Sequence, residues 1–183
     1  MRYEQGDYVV HPGQGVCRVN GVDRRHTIVG ASADRPGREV ERLEYALTPV
    51  AGQRVSIHYP VEKEDELRPV IGKADARRLI KDAPLLESDT FDKPQSWTVR
   101  DHFIGCMRAG DCTEAMRVVK TLHERVASAQ RSGRKPKACY TSVLSEAKQR
   151  LYDELSIALD TTQDRVEELL RDSFERAGGL RRA

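Results

Sequence analysis

His102 and Cys106 stand four residues apart in "DHFIGCMRAG", a spacing that puts an imidazole and a thiol on one face of a helix. Such a pair could share a metal ion. A structural zinc site takes four ligands, however, and no second pair of suitable spacing follows. Cys106 and His123 would act as nucleophile and base only if the fold joined them and oriented the imidazole, and nothing in the sequence does so. "HPGQG" (11–15) carries two glycines but lacks the Gly-Lys-Ser/Thr ending of a phosphate loop, and it lies between strands rather than ahead of a helix. No catalytic residue, metal or cofactor is expected. Cys17, Cys106, Cys112 and Cys139 show no CxxC spacing and read as reduced thiols that pack as small hydrophobes.

The remaining unusual residue is Trp97, the only tryptophan, in "DKPQSWTVRDH" (92–102). A ring that can bury roughly 150–250 Å² normally belongs in a core, yet here its neighbours are polar and charged. The charge balance also changes at this point. Residues 91–150 carry twelve Lys/Arg against six Asp/Glu, although the whole chain has a net charge of only +2. That local excess favours a polyanion near the tryptophan.

The elements that must position these residues fall into two groups. "YVV" and "GVCRV" flank a Pro/Gly turn, Leu43, Tyr45 and Leu47 alternate with polar residues, and Val55, Ile57 and Tyr59 alternate again. Several short strands within about 65 residues predict a small, strongly bent sheet or SH3-like barrel. The polar stretch "VGASADRPGRE" (29–39) reads as a hairpin tip. From about residue 72 the period becomes helical. "ADARRLIKDA" predicts a short helix, and Asp111 with Glu114 forms a capping box, with Gly110 as the stop signal before it. Ala115, Val118, Val119, Leu122 and Val126 then form one stripe, and Tyr140, Val143, Leu144, Ala147, Leu151 and Leu155 another. Val166, Leu169, Leu170 and Phe174 make a third, entered through Thr161-Thr162. The fold class is α+β: a small SH3/Tudor-like β-barrel at 1–66, then an all-helical domain of four to five helices at 72–183. At 38% hydrophobic and 33% charged residues, with no long apolar stretch and no signal-type N-terminus, a soluble, cytoplasmic protein is expected.

"YEQGDYVVHPGQGVCRVNGVDRR" resembles the opening of the CarD/CdnL family, Gly-Asp-x-Val-Val-Tyr-Pro-x-x-Gly-Val, with His11 in place of the usual tyrosine. "LRPVI" (67–71), "AGDCTEAMRVVKTL" (109–122) and "LSEAKQRLYDELS" (144–156) are similar to later family patterns, and Trp97 falls on the family's tryptophan. The resemblance covers almost the whole chain. It implies a non-enzymatic transcription regulator whose Tudor-like domain docks on the RNA polymerase β subunit. Its helical domain would then wedge the tryptophan into the minor groove at the upstream edge of the open promoter bubble.

Carried onto this chain, the resemblance implies polymerase contacts at Arg25 and His58, and DNA contact by Trp97 with Lys93 and Arg100 on nearby phosphates. Relatives follow the tryptophan with a basic pair, where this chain has "TVRDH". The loop "RSGRKPK" (131–137), with Arg134 and Lys135, either replaces those cations or is only a solvated helix connection. The expected partners are therefore the RNA polymerase β subunit and promoter DNA bound without sequence preference by a monomer. The competing expectation is a protein adaptor that uses the barrel alone and does not touch DNA.

Overall fold

The computed structural model describes residues 1–29, 36–52, 55–109 and 111–180. Of the expected hairpin tip at 29–39, residues 30–35 lie outside the described residues, as does the Gly110 stop signal. The chain divides into two compact units, Met1–Val70 and Ile71–Ala183.

The first unit is an antiparallel sheet of five strands, β1 (Tyr8–His11), β2 (Gly15–Val29), β3 (Arg38–Pro49), β4 (Ile57–Pro60) and β5 (Arg68–Pro69), in the order β4-β3-β2-β1-β5. Gly15, at φ 76°, supplies the left-handed residue that returns the chain from β1 into β2. The His11 imidazole braces this turn, its Nδ1 accepting from the Gly13 and Gln14 amides at 3.0 and 3.2 Å. Its ring stands edge-on to Tyr59 at 5.0 Å. Val9, Cys17, Val19, Tyr45, Leu47, Tyr59 and Leu67 form the core, with Tyr3 laid across one end. There the Tyr45 hydroxyl accepts from the Arg2 amide at 3.1 Å and donates to Glu64, while Tyr3 donates to the Leu67 carbonyl at 2.9 Å.

The expected barrel does not close, and the sheet is open. Its two edge strands are short and end in Pro60 and Pro69, and proline has no N–H to extend a ladder. One alternation does not carry through to burial. Tyr45 and Leu47 are fully buried, but Leu43 is 41% exposed. β1 pairs with β2 only as far as Arg18, and β4 pairs with β3 only between Glu44 and Leu47. Beyond Asp23 and Glu44, β2 and β3 run on as a two-stranded ribbon, and among the described residues Leu43 has no third strand beside it. Val55 likewise falls outside β4 and is exposed.

Among the described residues the second unit has six helical segments rather than four or five: α1 (Lys73–Asp82), a single 3₁₀ turn (Ala83–Leu85), α2 (Ser96–Ala109), α3 (Cys112–Arg131), α4 (Ala138–Leu159) and α5 (Gln163–Leu180). The added turn contains Pro84, which has no N–H to continue α1. Phe103, Leu122, Ala147, Leu151, Leu155 and Val166 sit at the centre with no exposure. The Asp111 carboxylate caps α3, accepting from the Thr113 and Glu114 amides at 2.8 and 3.1 Å. Glu114 does not complete a reciprocal box; its carboxylate takes Arg117 at 2.6 Å. α4 ends where Asp160 turns left-handed at φ 53°, and the Thr162 hydroxyl accepts from the Arg165 amide to start α5. Phe174 closes the third expected stripe but is partly exposed.

Candidate functional site

Two surfaces carry the residues singled out above, one on each unit. On the sheet, Arg25 and His58 lie on the face opposite the core, and one carboxylate joins them. Glu44 Oε2 stands 3.9 Å from Arg25 Nε and 4.0 Å from His58 Nδ1, and Asp23 Oδ2 is also 4.0 Å from that nitrogen. The register explains the grouping. Asp23 pairs with Glu44, Arg25 with Arg42, and His58 with Ala46, so alternate residues of three strands point the same way. Arg42 continues the row toward Glu62 at 4.0 Å. The result is a mixed-charge patch in which Asp23, Glu44 and Glu62 stand about 4 Å from Arg25, Arg42 and His58, reaching the edge strand β4. The acidic partners Asp23 and Glu44 were not legible beforehand, because their role depends on register rather than on any local pattern.

On the helical unit, Trp97 is the second residue of α2 and is 68% exposed. It is therefore not a core residue, although Val99 and Phe103 on the same helix are fully buried. A ring this large held on the first turn of a well-anchored helix has limited freedom to fold back. The chain leading to it, residues 84–93, has little regular structure of its own, but it is tied down by side chains from the helices beneath. Lys120 donates to the carbonyls of Pro84 and Leu86. Arg125 donates to those of Asp89 and Phe91 at 2.6 and 2.7 Å. The Thr121 hydroxyl accepts from the Asp89 amide at 2.8 Å. Hydrogen bonds from charged donors are each worth about 1.5–3 kcal/mol, and Arg125 also stacks over Phe103 and Tyr140 at 5.5 Å.

The next anchor is acidic. Asp92 Oδ1 accepts from Lys137 Nζ and from the Tyr140 hydroxyl, both at 2.8 Å. Lys137 and then Tyr140 hold the Asp92 carboxyl below its usual range, and the same pairing raises the Lys137 ammonium. Lys137 also reaches the Lys93 carbonyl at 3.4 Å, which brings the end of the 131–137 loop beside the segment that enters α2.

Part of the basic excess between residues 91 and 150 is thus engaged within the unit: Lys120, Arg125 and Lys137 bind backbone carbonyls and Asp92. Lys93, Arg100, Arg134 and Lys135 are exposed and, among the described residues, form no ion pair. Arg134 and Lys135 line a concavity of about 580 Å³ together with Asp92, Arg125 and Lys137. Lys93 and Arg100 flank Trp97 along the chain instead and do not line it.

A third cluster joins the same segment to α2. Asp89 Oδ2 lies 2.6 Å from His102 Nε2, whose ring stacks on Phe91 at 3.9 Å, and Cys106 Sγ is 3.8 Å from that nitrogen. Burial pushes the Asp89 carboxyl up, but hydrogen bonds from His102 and the Phe91 amide outweigh it, and the net shift is downward. The sequence placed His102 and Cys106 together. Asp89, thirteen residues before the histidine in irregular chain, gave no signal.

The first unit is thus an open sheet with a charged outer face, and the second a helical bundle with an exposed tryptophan on the first turn of α2. Residues 3–71 match the CarD-like/TRCF RID domain, and residues 83–171 match the CarD C-terminal domain. The chain belongs to the CarD family of RNA polymerase-interacting transcription regulators. Those domains point to a non-catalytic transcription factor. No curated protein matches the chain. Among the described residues, no helix is long and apolar enough to cross a membrane.

Proposed function

We propose that this protein, a cytoplasmic monomer, binds the RNA polymerase β subunit through the outer sheet face at Arg25 and His58. It would then stabilise the open promoter complex by wedging Trp97 into the minor groove at the upstream edge of the bubble. The observation that supports this reading best is the exposure of Trp97 on a helix whose approach segment is fixed by Lys120, Thr121, Arg125 and Lys137. An apolar wedge gains contact only where base steps are already unstacked, so it favours melted over closed DNA. A difference of about 1.4 kcal/mol shifts that balance tenfold.

Lys93, Arg100, Arg134 and Lys135 supply the attraction to phosphates, which is independent of sequence and weakened by salt. The test is binding to a forked promoter fragment with polymerase present, measured across a range of salt concentrations. Each cation that contacts a phosphate contributes a slope of about −0.9 in log affinity against log salt. Salt-independent binding that is identical with and without the fork would instead show an adaptor that holds polymerase alone.

A further inference from the structure

The geometry points to a zinc-class metal site formed by Asp89, His102 and Cys106, which joins the segment ahead of Trp97 to the helix that carries it. The three ligand atoms lie within 4.8 Å of one another. Zinc holds oxygen and nitrogen at about 2.0–2.2 Å and thiolate sulfur at about 2.3 Å in a tetrahedron, which sets nitrogen and sulfur roughly 3.6 Å apart and oxygen and nitrogen roughly 3.3 Å apart. The observed His102 Nε2 to Cys106 Sγ distance, 3.8 Å, already fits. The Asp89–His102 contact, 2.6 Å, has to open by somewhat under about 1 Å, which a small rotation of the carboxylate provides.

The surroundings are those of a built site. The second oxygen of Asp89 accepts from the Phe91 amide at 2.6 Å, which aims the first at the cluster. The His102 ring is clamped between stacked Phe91 and edge-on Phe103, at 3.9 and 5.0 Å. Such outer contacts orient ligands and protect them from water. A donor set of one thiolate, one imidazole and one carboxylate suits zinc and disfavours magnesium or calcium. Three protein ligands leave a fourth position for water.

Zinc takes cysteine as the thiolate. On binding, the sulfur–zinc bond replaces the sulfur–hydrogen bond and the proton goes to solvent. His102 then binds through Nε2 and carries its proton on Nδ1. Affinity therefore rises with pH. Bound metal would lock Asp89 to α2 one turn and a half beyond Trp97, bracing the wedge.

The test uses the tag-free full chain, stripped with chelator and titrated with Co²⁺, then with Zn²⁺ in competition. One equivalent of Co²⁺ should give the visible absorption of a tetrahedral ion and a thiolate-to-cobalt charge-transfer band, both removed by one equivalent of Zn²⁺. His102 lies about 7.5 Å along the helix axis from Trp97, so Co²⁺ should also quench the single tryptophan. Cys106→Ser should lose the charge-transfer band and weaken zinc binding more than about tenfold, whereas Cys139→Ser should change neither. Should Cys106→Ser fail to fold, alkylation of the native protein gives the same answer: zinc protects Cys106 and leaves the Cys139 rate unchanged. The absence of a charge-transfer band, its survival in Cys106→Ser, or an unprotected Cys106 overturns the site.

Discussion

Lys137 Nζ and Asp92 Oδ1 are 2.8 Å apart, and this contact links the basic 131–137 loop to the segment that enters the Trp97 helix. The Tyr140 hydroxyl shares the same oxygen. What would otherwise read as one more cation available to DNA is therefore part of the tryptophan's mounting.

Asp92→Asn should lower stability by up to about 1 kcal/mol at neutral pH, the scale of an exposed ion pair. The folded-state pKa of Asp92 is depressed, so its contribution is complete above the ordinary carboxylate value, about 3.9, and disappears as pH falls through the folded value. Thermal melts of the two proteins should differ at pH 7 and converge on acidification. A gap that widened toward low pH would reverse the assigned sign.

Arg125→Met keeps the aliphatic stem but removes two donors from the Asp89 and Phe91 carbonyls. The expected loss is about 2–4 kcal/mol, because charge-assisted bonds are broken and partly buried acceptors are left unpaired. Denaturant unfolding measures it, and a change below about 0.5 kcal/mol would mean that the segment is held by other contacts.

Leu43 and Leu47 sit four residues apart on one strand and should respond unequally to truncation. Leu47→Ala, at a fully buried site, should cost about 2–5 kcal/mol. Leu43→Ser should stay within about 0.5 kcal/mol, as surface changes usually do. Equal losses would indicate that the β2–β3 ribbon is covered in solution.

Arg25→Ala should weaken polymerase binding about tenfold, or about 1.4 kcal/mol, while leaving the melting temperature unchanged. Its ion pair with Glu44, at 3.9 Å, is partly exposed and contributes little to folding. Pull-down with the isolated β subunit checks this, and undiminished capture would remove Arg25 from the docking face.

The helical stripes were legible because a 3.6-residue period reports burial directly: all six residues of the Tyr140–Leu155 stripe are buried in α4. Strand alternation reports only that one face differs from the other. Whether a neighbour covers that face depends on the lengths of distant strands, and for this reason Tyr45 and Leu47 were read correctly and Leu43 was not. Trp97 stood out by type and by its polar context. Its support did not, since Arg125 reaches Phe91 across 34 positions into chain with no periodicity. The same holds for Asp89, which completes a cluster with His102 and Cys106 only in three dimensions.

The most direct measurement is the lifetime of open promoter complexes formed with polymerase and either native protein or Trp97→Ala. The exposed ring contributes little to the helical core, so the variant should fold and bind polymerase normally. Its open complexes should decay about tenfold faster than those with the native protein, the effect of roughly 1.4 kcal/mol lost from the melted state. Equal lifetimes at saturating protein would contradict the wedge.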